Sequence, residues 1–258
     1  MKTVQLRNLT IGEGTTKVIV PIVAATTEDI VAKAESLREV PLHVVEWRAD
    51  FFKDVFVPER VSETLRQLRA ALGETALLVT FRTKKEGGEK EIGMEEYTAL
   101  NLLAAKSGCV DAVDVEIFSG DDVVRKNIQN IHGAGLVVVG SNHDFFKTPD
   151  EDDLIYRLRK MQDLGADIPK IAVMPQNKAD VLTLLSATEK MARCYADRPI
   201  VTMSMSGTGV LSRLCGEVFG SAMTFGAVGQ VSAPGQIPVE QLNYVLNVIH
   251  NSVGGETA

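Results

Sequence analysis

Apolar and polar residues along this chain follow two alternating periods. Short β-branched runs recur at 18–23, 44–48, 77–82, 112–117, 136–141, 171–174, 200–205 and 223–228, each followed by apolar positions at helical spacing. The predicted helices cover 27–38, 58–72, 94–106, 121–132, 149–164, 178–195, a shorter segment from Ser212, and 239–250. Thr27, Ser62, Asp121 and the pair Thr148-Pro149 stand at helix starts, where a side-chain oxygen or a preset φ serves the first turn. Eight such alternations give a parallel sheet, and 258 residues suit a single (β/α)8 barrel domain spanning 1–258. A doubly wound open sheet would carry a glycine-rich dinucleotide loop after the first strand, where Pro21-Ile22-Val23-Ala24-Ala25 stands instead. Before that strand, Val4, Leu6, Leu9 and Ile11 alternate around Arg7-Asn8, which predicts a β-hairpin closing the bottom, N-terminal end of the barrel.

Strand side chains point alternately to two faces, so one parity lines the barrel and the other meets the helices. Glu46 and Arg48 share a parity, as do Thr80 and Arg82, Asp114 and Glu116, Ser141 and His143, Lys170 and Ala172, and Met203 and Met205. Polar groups therefore gather inward, mostly toward the C-terminal strand ends where barrel enzymes keep their sites. Lys170 stands out because its neighbours Ile168, Ile171, Ala172 and Val173 are apolar. Burial disfavours an ammonium, lowers its pKa, and yields a neutral amine that can attack a carbonyl to form a Schiff base.

Each residue singly also fits a structural role. Glu46, Arg48 and Arg82 can form an internal ion-pair network, His143 can bond Asp144 or backbone, and Met203 and Met205 can fill core. Together they weigh the other way, since buried charges around a lysine cost desolvation that apolar side chains would avoid, and a polar ligand accounts for that cost. His43, His132 and His250 fall outside this face and are assigned no role.

Composition narrows the classes. Hydrophobic residues make up 45% of the chain, enough for a full core, and the net charge of −7 argues against nucleic acid as a partner. No apolar run approaches membrane-spanning length and no signal-type segment opens the chain, which predicts a cytoplasmic protein without a membrane partner. Cys109, Cys194 and Cys215 are widely spaced without a CxxC, as expected of reduced core thiols rather than disulfides or zinc ligands.

The motifs Glu46-Trp47-Arg48-Ala49-Asp50, Thr80-Phe81-Arg82 with Glu86-Gly87-Gly88-Glu89, Ser141-Asn142-His143-Asp144-Phe145, Pro169-Lys170-Ile171-Ala172-Val173-Met174-Pro175-Gln176, Met203-Ser204-Met205-Ser206, Ser212-Arg213 and Ser232-Ala233-Pro234-Gly235-Gln236 follow one another in order. In that order the chain resembles, nearly end to end, the monofunctional bacterial form of type I 3-dehydroquinate dehydratase. The resemblance implies a homodimeric (β/α)8 barrel, without metal or organic cofactor, that dehydrates 3-dehydroquinate to 3-dehydroshikimate in the shikimate pathway. It implies that Lys170 forms an imine with the substrate ketone, that His143 moves the protons, and that Glu86 orients His143. By sequence alone Glu86 reads as a solvated loop residue beside Lys84, Lys85 and Glu89. The resemblance further implies that Arg213 binds the substrate carboxylate, that Glu46, Arg48 and Arg82 hold hydroxyls, and that Met203, Met205 and Phe225 pack the ring. Ser232 and Gln236 would arrive on a closing loop.

Two positions depart from the pattern: Pro21 stands where some relatives carry serine, and Gly207 where they carry lysine, so no substrate contact is expected from the first strand. Gly207-Thr208-Gly209 can in another barrel cradle a phosphate, which keeps open a class I aldolase acting on a phosphosugar. A barrel that merely binds a small hydroxy acid is the non-catalytic alternative; it has no use for an imine-forming lysine beside a histidine.

Overall fold

Each β-branched run becomes a strand and each amphipathic segment becomes a helix packed outside it. The computed structural model of the protein describes residues 2–229 and 233–254. The hairpin strands β1 (Val4–Leu6) and β2 (Leu9–Ile11) pair antiparallel across Arg7-Asn8, with Arg7 at a φ of 54°. The parallel strands follow as β3 (Lys17–Ile22), β4 (Val44–Arg48), β5 (Ala76–Thr80), β6 (Ala112–Glu116), β7 (Val137–Asp144), β8 (Ile168–Val173), β9 (Val201–Ser204) and β10 (Met223–Ala227), with the short β11 (Ile237–Pro238) beside β10. Helices α1 (Thr27–Ser36), α2 (Pro58–Leu72), α3 (Met94–Lys106), α4 (Asp121–Gly133), α5 (Glu151–Leu164), α6 (Lys178–Cys194), α7 (Val210–Leu214), α8 (Gly216–Phe219) and α9 (Val239–Gly254) complete the eight units.

The result is the expected (β/α)8 barrel. Its ladder is continuous from β10 through β3 to β9, and the ring closes at one bridge, Ile200 to Ser221. There the Ala222 amide donates to the Ile200 carbonyl at 2.8 Å and the Ser221 hydroxyl accepts the Thr202 amide at 3.0 Å, so a side chain replaces part of the ladder at the seam.

Two apolar layers follow from strand parity. Val18, Val20, Val45, Trp47, Leu77 and Val113 face the helices. Ile19, Val44, Leu78, Ala112, Val139 and Ile168 face inward, and Leu6 and Ile11 of the hairpin pack onto them. The hairpin thus closes the N-terminal mouth, and the upper interior is left to the polar residues. Burying each Val, Leu or Ile of these layers contributes about 1.5–3 kcal/mol.

Several local expectations differ. Thr26, not Thr27, caps α1, its hydroxyl accepting the Asp29 amide at 3.2 Å; Thr27 is buried against the Thr64 hydroxyl. Ser62 lies inside α2, Asp121 is preceded by Gly120 at the cap position, and Asp150 rather than Thr148-Pro149 caps α5. The segment around Ser212 is two short helices, α7 and α8. All three cysteines are free, but only Cys109 is a core thiol; Cys215, at the junction of α7 and α8, is half-buried, and Cys194, at the end of α6, is exposed. Strand β7 runs on to Asp144, so His143 belongs to the strand and its pleat sets the ring on the same side as Ser141.

Candidate active site

Ladder register decides the heights of the polar side chains. Glu116, Ser141 and Lys170 are successive partners across β6, β7 and β8, while His143, Ala172 and Met203 align one pleat period higher. That period is about 7 Å, which a lysine side chain spans. Lys170 and His143 therefore reach one pocket from different levels. About 490 Å³ of empty space, partly open to solvent, lies there, lined by both together with Glu46, Arg48, Arg82 and Glu86. Met203, Met205 and Phe225 are buried in its wall, and Arg213, Ala233 and Gln236 border it from the β9 and β10 sides. Ser232 lies outside the described residues.

Lys170 is only 4% exposed. Its Nζ sits 3.6 Å from Asp114 Oδ2 and 3.9 Å from Glu46 Oε1, with the Phe225 ring centroid at 4.7 Å. Burial lowers its pKa; Asp114 and Glu46 oppose that, and Arg82 and Arg48 reinforce it. The arrangement holds a buried amine over an aromatic face that favours its charged form.

Arg82 and Arg48 are locked by carboxylates. Arg82 Nη1 donates to Glu116 Oε1 at 2.8 Å and to the Ser141 hydroxyl at 3.0 Å, and Nη2 pairs with Asp114 at 2.9 Å. Arg48 makes a bidentate pair with Asp50 at 2.8 and 2.7 Å. Glu46 accepts the Thr80 hydroxyl at 2.8 Å. The Tyr97 hydroxyl accepts the Glu116 amide at 3.0 Å and donates to the Asp114 carbonyl, which fixes the end of β6.

Glu86 is buried, contrary to the solvated reading of its loop. The short turn Lys84–Glu86 folds it back because Gly87 has a φ of +84° and a Cβ on Gly88 would sit 1.8 Å from the Arg82 carbonyl. Glu86 Oε2 lies 3.0 Å from His143 Nδ1 and accepts the His143 amide, and Oε1 accepts from Asn142. Burial and the neighbouring Glu116 carboxylate push the Glu86 carboxyl up to about 8. Burial and the cations Arg82, Lys170 and Arg48 hold His143 well below the usual imidazole range. An ionised Glu86 accepts a hydrogen bond from Nδ1–H of a neutral imidazole, which leaves the Nε2 lone pair free.

Arg213 is 1% exposed and lies within ion-pair distance of no carboxylate among the described residues. Nη2 donates to the Pro234 carbonyl at 3.1 Å, Nη1 reaches only the Met203 sulfur at 3.6 Å, and Nε has no partner. Burial lowers its pKa to about 10, which leaves it charged at neutral pH. A buried cation without a counter-ion is costly, and an anion brought beside it would offset that cost.

The Gly207-Thr208-Gly209 turn is partly occupied by the protein's own backbone. The Ser206, Gly209 and Val210 amides already donate to Pro234, Ser206 and Gly207 carbonyls. A Cβ on Gly209 would fall 2.2 Å from the Ser204 carbonyl, so that glycine serves close backbone packing. No group of three His, Cys, Asp or Glu side chains among the described residues has a metal-holding arrangement, and no described helix is long and apolar enough to cross a membrane.

Sequence reasoning missed Asp50, Asn142 and Asp114 as members of the site. Acidic residues on the inward parity were the available signal for Asp114, but the motifs around Asp50 and Asn142 do not reveal which side chains they hold.

A model of the type I 3-dehydroquinase family matches residues 18–253. A 3-dehydroquinate dehydratase of Clostridioides difficile is 52% identical over 250 residues, covering 97% of this chain and 98% of the relative. One from Salmonella agona is 53% identical over 252 residues, covering 98% and 100%. The crystal structure of the type I enzyme from Clostridium difficile with covalently modified comenic acid superposes with a TM-score of 0.95 at 52% identity, covering 97% of this chain and 99% of that one. On these matches, nearly end to end, the chain belongs to the type I 3-dehydroquinase family.

Proposed function

We propose that this protein is a lyase that dehydrates 3-dehydroquinate to 3-dehydroshikimate through a Schiff base on Lys170, with His143 as general base and acid. The observation that carries the reading is Arg213, a buried guanidinium without an acid partner at the mouth of the pocket that holds Lys170. The substrate's carboxylate supplies the missing anion, and a bidentate pair with it sets the ring over the amine. The Clostridium difficile relative, with its covalently modified comenic acid, is consistent with a nucleophile in this site.

In this mechanism neutral Lys170 attacks the C3 carbonyl, one proton taken up from solvent by way of His143 lets the carbonyl oxygen leave as water, and a protonated imine forms. Nε2 of His143 removes the C2 proton, and the electron pair of the C–H bond moves through C2 and C3 onto nitrogen. The pair then returns, the C1–O bond breaks, and His143 gives its proton to the departing hydroxyl. Hydrolysis of the imine frees the product and the amine. Glu86 holds the imidazole tautomer, Glu46, Arg48 and Arg82 hold hydroxyls, and Met203, Met205 and Phe225 pack the ring. Gln236 closes the site from the β10 side. The chain acts as a single-domain homodimer in the cytoplasm, as the family resemblance implies, and needs no cofactor.

Borohydride reduction in the presence of 3-dehydroquinate tests the reading. Mass spectrometry should find the ligand on Lys170, and the ultraviolet band of the conjugated enone should grow in an unreduced sample. An adduct on another lysine such as Lys178, or absence of both signals, would overturn it.

A further inference from the structure

Asp114 has a buried oxygen that the network leaves unused. Its side chain is fully buried, and its Oδ1 takes the Ser141 hydroxyl at 2.6 Å and Arg82 at 2.9 Å. Oδ2 has no hydrogen-bond partner, yet it lies 3.6 Å from Lys170 Nζ, nearer than any other carboxylate oxygen among the described residues. A buried carboxylate oxygen left without a donor is costly unless some state of the protein supplies one.

We propose that Asp114 is the counter-ion of the imine: its Oδ2 accepts the single N–H of the protonated Schiff base on Lys170 and keeps that nitrogen charged while the C2 proton leaves. The inference rests on the Schiff-base reading above. The free ammonium has three hydrogens to distribute, whereas the iminium has one, and its direction must match one acceptor. Atoms balance without a further proton transfer. The N–H proton stays on nitrogen throughout, the C2 proton goes to His143, and only the electron pair reaches the imine nitrogen and returns.

The groups around Nζ explain why a dedicated acceptor is needed. From β4 come Glu46 and Arg48, from the end of β5 Arg82, and from β7 His143. Glu116, beside Asp114 on β6, and Glu86 are both turned to Arg82, while Arg213 faces the pocket from α7. Two guanidiniums oppose a positive nitrogen, and Glu46 Oε1 is committed to Thr80 at 2.8 Å, so Asp114 is the acid with capacity to spare.

The test is trapping with cyanoborohydride, which reduces only the protonated imine, followed by mass spectrometry across pH. Asp114→Asn preserves shape and removes the charge. Its half-maximal trapping on the alkaline side should fall by about 1–3 pH units relative to wild type, the usual effect of an opposite charge at this range. Its kcat should fall more than its KM rises. A lowered kcat with an unmoved alkaline limb would mean that Asp114 only braces Arg82, and a shift in Glu46→Gln without one in Asp114→Asn would assign the role to Glu46; either overturns the inference. Should Asp114→Asn fail to fold by circular dichroism, wild type decides alone. Its half-maximal pH must lie above that of the butylamine imine of 3-dehydroquinate in water, and a value at or below it overturns the inference. If wild type traps no 3-dehydroquinate at any pH, the Schiff-base reading itself has failed.

Discussion

Oε2 of Glu86 accepts both the ring Nδ1 side and the backbone amide of His143, each at 3.0 Å, so one carboxylate oxygen fixes the imidazole and the strand that carries it. The pair works as a unit. Ionised Glu86 keeps the Nδ1–H tautomer and a free Nε2; a proton on Glu86 would face Nδ1 and force the proton onto Nε2, which disarms the base.

The first prediction follows from the Glu86 carboxyl lying up at about 8. The acid limb of kcat/KM should fall near there and belong to the coupled pair. Glu86→Gln presents an amide to Nδ1 permanently, so turnover should drop about 10–100-fold, less than the ~10²–10⁴ contributed by a general base itself, and the limb should vanish. A carboxyl raised in the fold stabilises the protein below its unfolded pKa, and that stability is lost as pH rises through about 8. Glu86→Gln should therefore melt higher relative to wild type at pH 9 than at pH 5, which calorimetry can read.

The second concerns the proton shuttle. His143→Ala should still form the imine, more slowly, but stop at it, because no other imidazole lines the pocket among the described residues. Turnover should fall by ~10²–10⁴ or more, since one ring serves two transfers. Intact mass spectrometry of the variant with substrate and borohydride should show a larger trapped fraction than wild type. Near-normal turnover would move the role elsewhere.

Much of this was legible in the sequence, for physical reasons that also mark where legibility ends. Period-two parity placed Glu46, Arg82, His143 and Lys170 inside the barrel, because a strand with one face on helices allows a single register. Glu86 was not legible as a buried acid, since its inward turn depends on the close approach of Gly88 to the Arg82 carbonyl and on Gly87 against Phe145, a contact between segments far apart in sequence. The cap of α1 slipped by one position for a similar reason: Thr26 and Thr27 are chemically alike, and only the contact with Thr64 decides which one is buried. The pairing of Arg48 with Asp50 likewise needs the short turn Ala49–Phe51 after β4.

The third prediction weighs carboxylate against phosphate recognition. Arg213→Lys retains charge but loses the planar fork, and the loss of one charge-assisted bond, about 1.5–3 kcal/mol, raises KM for 3-dehydroquinate roughly tenfold or more. Inorganic phosphate should compete weakly, because the Gly209 amide of the turn already donates to the Ser206 carbonyl and the flanking Ser206 and Val210 amides are bonded as well. Strong competition by phosphate with a silent Arg213→Lys would reverse the assignment. Gly209→Ala is no neutral control, since its Cβ would meet the Ser204 carbonyl, whereas Gly207 has open space.

The last prediction concerns the segment 233–236, which is tied to the turn after β9. The Pro234 carbonyl accepts both the Ser206 amide and Arg213 Nη2, at 3.1 Å each, so one carbonyl couples the segment to the anion receptor. Gly235 makes that docking possible: its φ is +80° and a Cβ there would stand 2.2 Å from the Ser206 carbonyl. Gly235→Ala meets strain and overlap together and should lift the segment away from Ser206. A weakening of about 1–2 kcal/mol lowers the ratio of docked to undocked segment roughly 5- to 30-fold, and KM should rise by up to that factor. The melting temperature should change little, because the barrel ladder is untouched. Imine trapping at saturating substrate should persist, since Lys170 lies below the segment and keeps its neighbours. Unchanged KM in Gly235→Ala, with the variant shown to be folded, would mean that this segment takes no part in holding substrate.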